Sequence, residues 1–283
     1  MKTESTARPV LESDITAWQS FVGKRKEQQA VVDADVLRRF ALASGVDADV
    51  EQQLPALSHW ALFVDAVADE RIGADGHPKR GDFLPDVHLP RRMFASSEML
   101  FHAALKLGLP AQCVSTITSV SHKGGRSGDL VFVKVLREVS QNDALCVTEE
   151  QTLVYRPAGD PVAPIKQVEL KLPARETWQP GPVELFRFSA VTFNSHRIHY
   201  DLPYAQSEEG YPNLVVHGPF TAVRLLDYAC RKTKRNAWTF SFRGIAPLFV
   251  SQPIQLSVGE AADSYMATRC DGVTAMTAKV EFK

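Results

Sequence analysis

Apolar residues recur at two different periods along this chain. Near the start, Ile15, Trp18, Phe21 and Val22 fall at helical spacing within residues 14–23. Residues 36–43 (VLRRFALA) predict a second helix, and residues 57–67 (LSHWALFVDAV) a third of about three turns. The period then drops to two. Residues 98–107, 112–121, 130–139 and 145–155 predict four strands, the clearest being the third, where Val131, Val133 and Val135 alternate with Phe132 and Lys134. Between the second and third, Lys123-Gly124-Gly125-Arg126-Ser127-Gly128 predicts the turn of a hairpin.

Two segments break the pattern. Residues 72–92 (IGADGHPKRGDFLPDVHLPRR) hold three prolines and three glycines and predict a long loop, a kind of segment that tends to be functional inside a compact domain. Residues 156–182 hold six prolines, a density that marks a linker. The expected division is an N-terminal domain over residues 11–157 and a C-terminal domain over residues 168–283. The second half repeats the plan. Residues 183–193 predict a strand, and residues 218–231 (GPFTAVRLLDYACR) a helix with Ala222, Leu225, Leu226 and Ala229 on one face. Three strands follow, carried by the alternating sets Trp238, Phe240, Phe242; Ile254, Leu256, Val258; and Met276, Ala278, Val280, Phe282. Each half is a helix plus antiparallel strands, an α+β pattern.

Composition adds mainly exclusions. A chain of 283 residues that is 45% apolar and 23% charged can bury a sizeable core. Its formal net charge of −1 gives no footprint for nucleic acid. No apolar run approaches the roughly 18 residues of a membrane span. The segment MKTESTARPVLESD has no apolar stretch of a secretory signal, so a cytoplasmic location without membrane association is expected. Cys113, Cys146, Cys230 and Cys270 lack metal-ligand spacing and are expected as buried or half-buried thiols. With no HExxH among eight histidines, no metal site is expected.

Candidate chemistry concentrates in residues 186–219 (FRFSAVTFNSHRIHYDLPYAQSEEGYPNLVVHGP). A polar loop there carries Asn194, His196, Arg197, His199 and Asp201, and a helix opens at His217-Gly218. A glycine at a helix start lets a ligand approach free backbone N–H groups at the positive end of the dipole. A histidine loop beside it pairs a base with an oxyanion site. Asp201 suits the cap of a short helix.

The form FNSHRIHYD followed by VVHGP resembles the catalytic signature of MaoC-like, R-specific enoyl-CoA hydratases. It is similar to the subfamily of mitochondrial-type hydroxyacyl-thioester dehydratases and of 3-methylfumaryl-CoA (mesaconyl-CoA) and itaconyl-CoA hydratases. GADGHPKRGDFLPDVHLPRRMFASSEMLFHAALKLG and HKGGRSGDLVFVKV resemble the first half of that subfamily, so the likeness spans about residues 18–282. In the general family pattern of aspartate, any residue, asparagine, proline, aliphatic residue and histidine, the histidine falls on His199 and the aliphatic residue on Ile198. Asn194, His196 and Arg197 stand where aspartate, asparagine and proline are usual.

The resemblance implies a double hot-dog fold, two antiparallel sheets each wrapped around a central helix. The second half would be catalytic and the first a degenerate half that shapes the acyl pocket. It implies a hydro-lyase acting on an acyl-CoA, with no cofactor beyond the CoA of the substrate. The acyl group it points to is itaconyl or mesaconyl, hydrated to citramalyl-CoA as in itaconate degradation. The alternatives are a dehydratase of fatty-acid metabolism and a non-catalytic acyl-CoA-binding hot-dog protein. A homodimer or higher homo-oligomer is expected.

An amide cannot accept a proton at neutral pH, so the proton chemistry is expected on His199, with Asn194 positioning and Gly218 offering the oxyanion N–H. His196 and His217 are candidates to shape the substrate site. Among the cations, Lys79, Arg80, Arg91, Arg92, Lys123 and Arg126 are candidates for CoA phosphates or an acyl carboxylate, Arg92 and Arg126 foremost. Arg197, two residues from His199, is the first choice for a substrate carboxylate.

Overall fold

The computed structural model describes residues 8–46, 49–125, 128–169 and 176–283. In chain order the first half runs α1 (Glu12–Gln19), β1 (Arg25–Val31), α2 (Ala34–Ser44), α3 (His59–Leu62), β2 (Arg91–Phe101), β3 (Pro110–Gly125), β4 (Gly128–Gln141) and β5 (Ala144–Arg156). The second runs β6 (Glu176–Trp178), α4 (Pro182–Thr192), α5 (Leu202–Ser207), α6 (Gly218–Thr233), β7 (Ala237–Gly244), β8 (Ile254–Val258), β9 (Ser264–Thr268) and β10 (Thr274–Phe282). Residues 157–169, which join the halves, form neither helix nor strand.

Among the described residues, ten strands make one antiparallel sheet in the order β1-β3-β4-β5-β2-β7-β10-β9-β8-β6. Each half supplies a contiguous block of five. The seam is β2 against β7, with Ser97 opposite Phe242 and Met99 opposite Phe240. Each block carries one principal helix. Leu37 of α2 packs with Ala111, Cys113, Val139 and Cys146 from the strands of the first half. Leu225, Leu226 and Ala229 of α6 pack with Phe240, Leu256, Ala267 and Val280 of the second. Burying each such leucine or phenylalanine is worth about 1.5–3 kcal/mol. α2, α4 and α6 meet through Phe40, Phe188 and Phe220; the Phe188 and Phe220 rings stack at 4.7 Å. All four cysteines are free thiols, three buried and Cys230 half-buried. Among the described residues, no helix is long and apolar enough to cross a membrane.

Strands β1, β6 and β9 are not among the expected strands, and three expected elements take another form. Residues 183–193, expected as a strand from their Val and Phe content, form helix α4. Pro182 sits in its first turn, the Glu184 carboxylate accepts the Gly181 N–H, and Leu185, Phe188 and Ser189 face inward at helical spacing. The helix expected over residues 57–67 shrinks to His59–Leu62. Its side chains are recruited elsewhere: His59 and Trp60 hydrogen-bond the fully buried Glu149 at 3.0 Å, and Arg137 donates to the Phe63 carbonyl at 3.3 Å. The strand expected over residues 98–107 begins at Arg91 and ends at Phe101, because Arg91 is buried against Glu209 with Nε and Oε2 3.1 Å apart.

Candidate active site

α4 ends at Phe193 in a left-handed conformation (φ 52°), which turns the chain into the histidine segment. Asn194 Oδ1 accepts the His196 N–H at 3.1 Å, closing a local turn. Residues Arg197–His199 make one 3₁₀ turn, and Asp201 caps α5 by accepting the Tyr204 N–H at 3.1 Å, as its position suggested. The first half docks directly on this segment. The Asp75 carbonyl accepts the Arg197 N–H at 2.9 Å, and the Ser195 hydroxyl donates to the Gly76 carbonyl. Glycine is required at residue 76: its φ is +88°, and a Cβ there would lie 1.9 Å from the Ser195 carbonyl oxygen.

Four imidazoles assemble at this junction. The His199 and His217 rings stack with centroids 3.6 Å apart. His196 meets His199 edge-on at 5.5 Å and lies 4.0 Å from His77, which arrives on the long loop of residues 72–92. His199 Nδ1 donates to the Val215 carbonyl at 2.7 Å, which fixes the tautomer and leaves Nε2 an unshared pair with no hydrogen-bond partner among the described residues. His217 Nε2 lies 2.8 Å from the Ser189 hydroxyl. Burial, opposed by the Val215 hydrogen bond, holds the His199 pKa down at about 4. Burial, then the charge of Arg92, holds His77 at about 4. Burial lowers His196 and His217 as well, and neighbouring histidines add to the effect. All four are neutral imidazoles at physiological pH.

Beside the cluster opens a cavity of about 630 Å³, within the usual range for small-molecule sites. Both halves line it: Trp60, Phe63, Phe94 and Phe188 supply apolar wall, and His77, Arg92 and Asn194 supply polar groups. Ser195 and Pro219, chain neighbours of His196 and Gly218, also line it. At the start of α6, the Gly218 N–H has no acceptor among the described residues, and the space where its Cβ would be is open. That is a free donor at the positive end of a helix. Asp75, His77 and His196 place three possible metal-ligand atoms within 4.8 Å of one another.

The cations separate by partner. Arg197 does not meet the cavity. Its Nη2 and Nε bond Asp201 Oδ2 at 2.8 and 3.0 Å, Nη1 donates to the Ala74 carbonyl, and the guanidinium lies over the Tyr204 ring. The role expected for it at a substrate carboxylate is therefore replaced by one in tying the two halves together. Arg80 is spent on the Leu89 and Pro90 carbonyls and Arg91 on Glu209. Arg92 faces the cavity and forms no ion pair among the described residues. Arg126 lies outside the described residues. Sequence reasoning passed over Asp75 and His77. The signal available was the Asp-Gly-His turn in a long loop, where a glycine marks close approach of backbone.

Two halves that share one cavity, with a histidine cluster and a free helix N-terminus beside it, form a candidate acid–base site. The hydroxyacyl-thioester dehydratase type 2 family matches residues 57–250. A Mesaconyl-C(4)-CoA hydratase of Chloroflexus aurantiacus is 42% identical over 277 residues, 93% of this chain and 97% of that protein. A solved MaoC-like dehydratase from Phytophthora capsici superposes with a TM-score of 0.68 at 13% identity, covering 95% of this chain and 97% of that one. A Mycobacterium tuberculosis protein described as a double hotdog fold superposes at 0.54 with 10% identity, covering 92% and 95%. The chain therefore belongs to the hydroxyacyl-thioester dehydratase type 2 family, with the MaoC-like double hot-dog fold. It is an enzyme of the hydratase and dehydratase type, a hydro-lyase.

Proposed function

We propose that the chain adds water to an enoyl-CoA whose acyl group carries a second carboxylate, mesaconyl-C4-CoA or itaconyl-CoA, giving citramalyl-CoA. The observation that carries this reading is Arg92, a cation without an ion pair on the wall of a cavity that also presents Asn194 and His77. A carboxylate buried without a partner would be costly, and Arg92 supplies the partner. The near full-length likeness to a protein named for mesaconyl-C(4)-CoA supports the same substrate class.

For a 2-enoyl thioester, His199 Nε2 takes a proton from water as its oxygen bonds the β carbon. The π electrons move onto the thioester oxygen, held by the Gly218 N–H, and the carbonyl reforms as the α carbon takes that proton back. Asn194 positions by hydrogen bonding. Neutral imidazole suits this exchange in both directions.

Aromatic wall from Trp60, Phe63, Phe94 and Phe188 favours a second reading, dehydration of straight-chain hydroxyacyl thioesters. The test is kcat/KM for mesaconyl-C4-CoA, itaconyl-CoA and crotonyl-CoA, followed by loss or gain of enoyl-thioester absorbance. A preference of tenfold or more for a dicarboxylic substrate is expected. Equal or better use of crotonyl-CoA would refute it and favour the second reading.

A further inference from the structure

The mechanism above leaves a gap. In the general family pattern a carboxylate shares the acid–base work with the histidine, and here its position holds Asn194. The structure brings a carboxylate, Asp75, from the other half of the molecule to a histidine, His77, that lines the same cavity as Asn194.

Asp75 grips His77 twice. Its Oδ1 accepts the His77 backbone N–H at 2.9 Å, and its Oδ2 lies 3.1 Å from His77 Nδ1. That hydrogen bond puts the ring proton on Nδ1 and leaves Nε2 as an acceptor with no partner among the described residues. The His77 ring faces the cavity that Asn194 and Arg92 also line. The same ring lies 4.0 Å from that of His196, which meets His199 edge-on at 5.5 Å. Gly76, between Asp75 and His77, makes the backbone approach to Ser195 that brings this loop onto the histidine segment. Burial opposes the charge on Asp75, yet its hydrogen bonds to His77 and the charge of Arg92 hold its carboxyl below the ordinary range, so it stays ionised.

We propose that His77, oriented by Asp75, is a second catalytic residue that holds the attacking water by accepting its other hydrogen, in place of the missing motif carboxylate. The proposal rests on the hydratase reading. Water then donates one hydrogen to His199 Nε2 and the other to His77 Nε2, which aims an oxygen lone pair at the β carbon. Only the first hydrogen moves: it passes to His199 and returns to the α carbon. The second stays on the new hydroxyl, so one water is consumed and both histidines end as they began. Asp75 is a positioning residue, acting through the tautomer and orientation of His77.

The experiment compares wild type, His77→Leu, His77→Gln and Asp75→Asn with mesaconyl-C4-CoA, itaconyl-CoA and crotonyl-CoA, with thermal melts to confirm folding. For the best substrate, His77→Leu is expected to lower kcat by about 100-fold, the scale of a lost acid–base or water-holding group, with KM within threefold. His77→Gln, whose amide oxygen can accept the same hydrogen, is expected to recover at least tenfold of that loss, which a merely structural role would not do. Asp75→Asn is expected to lower kcat about tenfold at unchanged KM. Wild-type hydration with His77→Leu within threefold of it would overturn the proposal and leave the hydratase reading standing. Wild-type protein inactive on all three thioesters would overturn both. Wild-type activity lost to a chelator and restored by a divalent cation would overturn the proposal by making Asp75, His77 and His196 ligands.

Discussion

The imidazole of His199 lies nearly flat on that of His217, with 21° between the planes and 3.6 Å between centroids. Each ring is fixed by its own partner, the Val215 carbonyl for His199 and the Ser189 hydroxyl for His217. Two buried cations could not share that stack. The arrangement keeps both rings neutral, and a neutral His199 is the form that can accept a proton. His199→Ala should therefore lower kcat by at least about 100-fold with the fold retained. Steady-state kinetics on a variant of unchanged circular dichroism checks this; near-normal turnover would remove His199 from the mechanism.

Asn194→Ala should be milder. The Asn194 amide contributes one hydrogen bond to the turn and a polar group to the cavity wall, but no proton acceptor. A loss of about tenfold is expected, less than for His199→Ala. The reverse ranking in kcat would sink the histidine-centred scheme.

Substrate choice should follow Arg92 and not Arg197. Arg92→Met is expected to erase most of the preference for a dicarboxylic thioester over crotonyl-CoA, because a site built around a charge rejects a substrate only while that charge is present. Arg197→Met, whose guanidinium is already held by Asp201, should keep the preference and lose some stability. Ratios of kcat/KM for the two substrates on both variants decide between them.

Acid should unfold the protein early. His199 and His77 have folded-state pKa values of about 4, against 6.5 for the unperturbed side chain. Between those values the unfolded chain binds more protons, so stability is complete above about pH 6.5 and is lost as pH falls toward 4. Burial of His196 and His217 acts in the same direction. Denaturant midpoints at pH 7.5 and 5.0 measure the slope, and His77→Gln should flatten it. Equal midpoints at the two pH values would contradict the buried neutral cluster.

Gly76→Ala tests the docking of the two halves. The new methyl would collide with the Ser195 carbonyl, and the residue would be forced into a left-handed conformation. A destabilisation of at least about 1–3 kcal/mol and a fall in kcat are expected. A variant with wild-type melting temperature and rate would show that the close approach is dispensable.

Much of this architecture is legible in the residue pattern, and the exceptions have specific causes. The alternation of Val131, Val133 and Val135 marks β4 because one of its faces is buried throughout. The stripe of Ala222, Leu225, Leu226 and Ala229 marks α6 for the same reason. α4 reads as a strand in sequence because its Val and Phe residues favour strands, while Pro182 and Glu184, which start the helix, lie at its edge. His199 and Gly218 can be named as candidates from the sequence because they sit in one continuous segment with its motif. His77 cannot, since its neighbours His196 and Asn194 lie more than a hundred residues away and only the folded loop brings them together. Arg197 misled because nearness in sequence to His199 is not nearness in space when a 3₁₀ turn points successive side chains apart.

The β2–β7 seam has a further consequence. Five residue pairs of the ladder, from Ser96 opposite Arg243 to Leu100 opposite Thr239, hold the halves together independently of the peptide that joins them. A protease cutting within residues 157–169 would therefore leave a nicked molecule whose two fragments stay associated. Genes encoding the fragments separately should yield a complementing pair, each piece inactive alone because one carries His77 and the other His199.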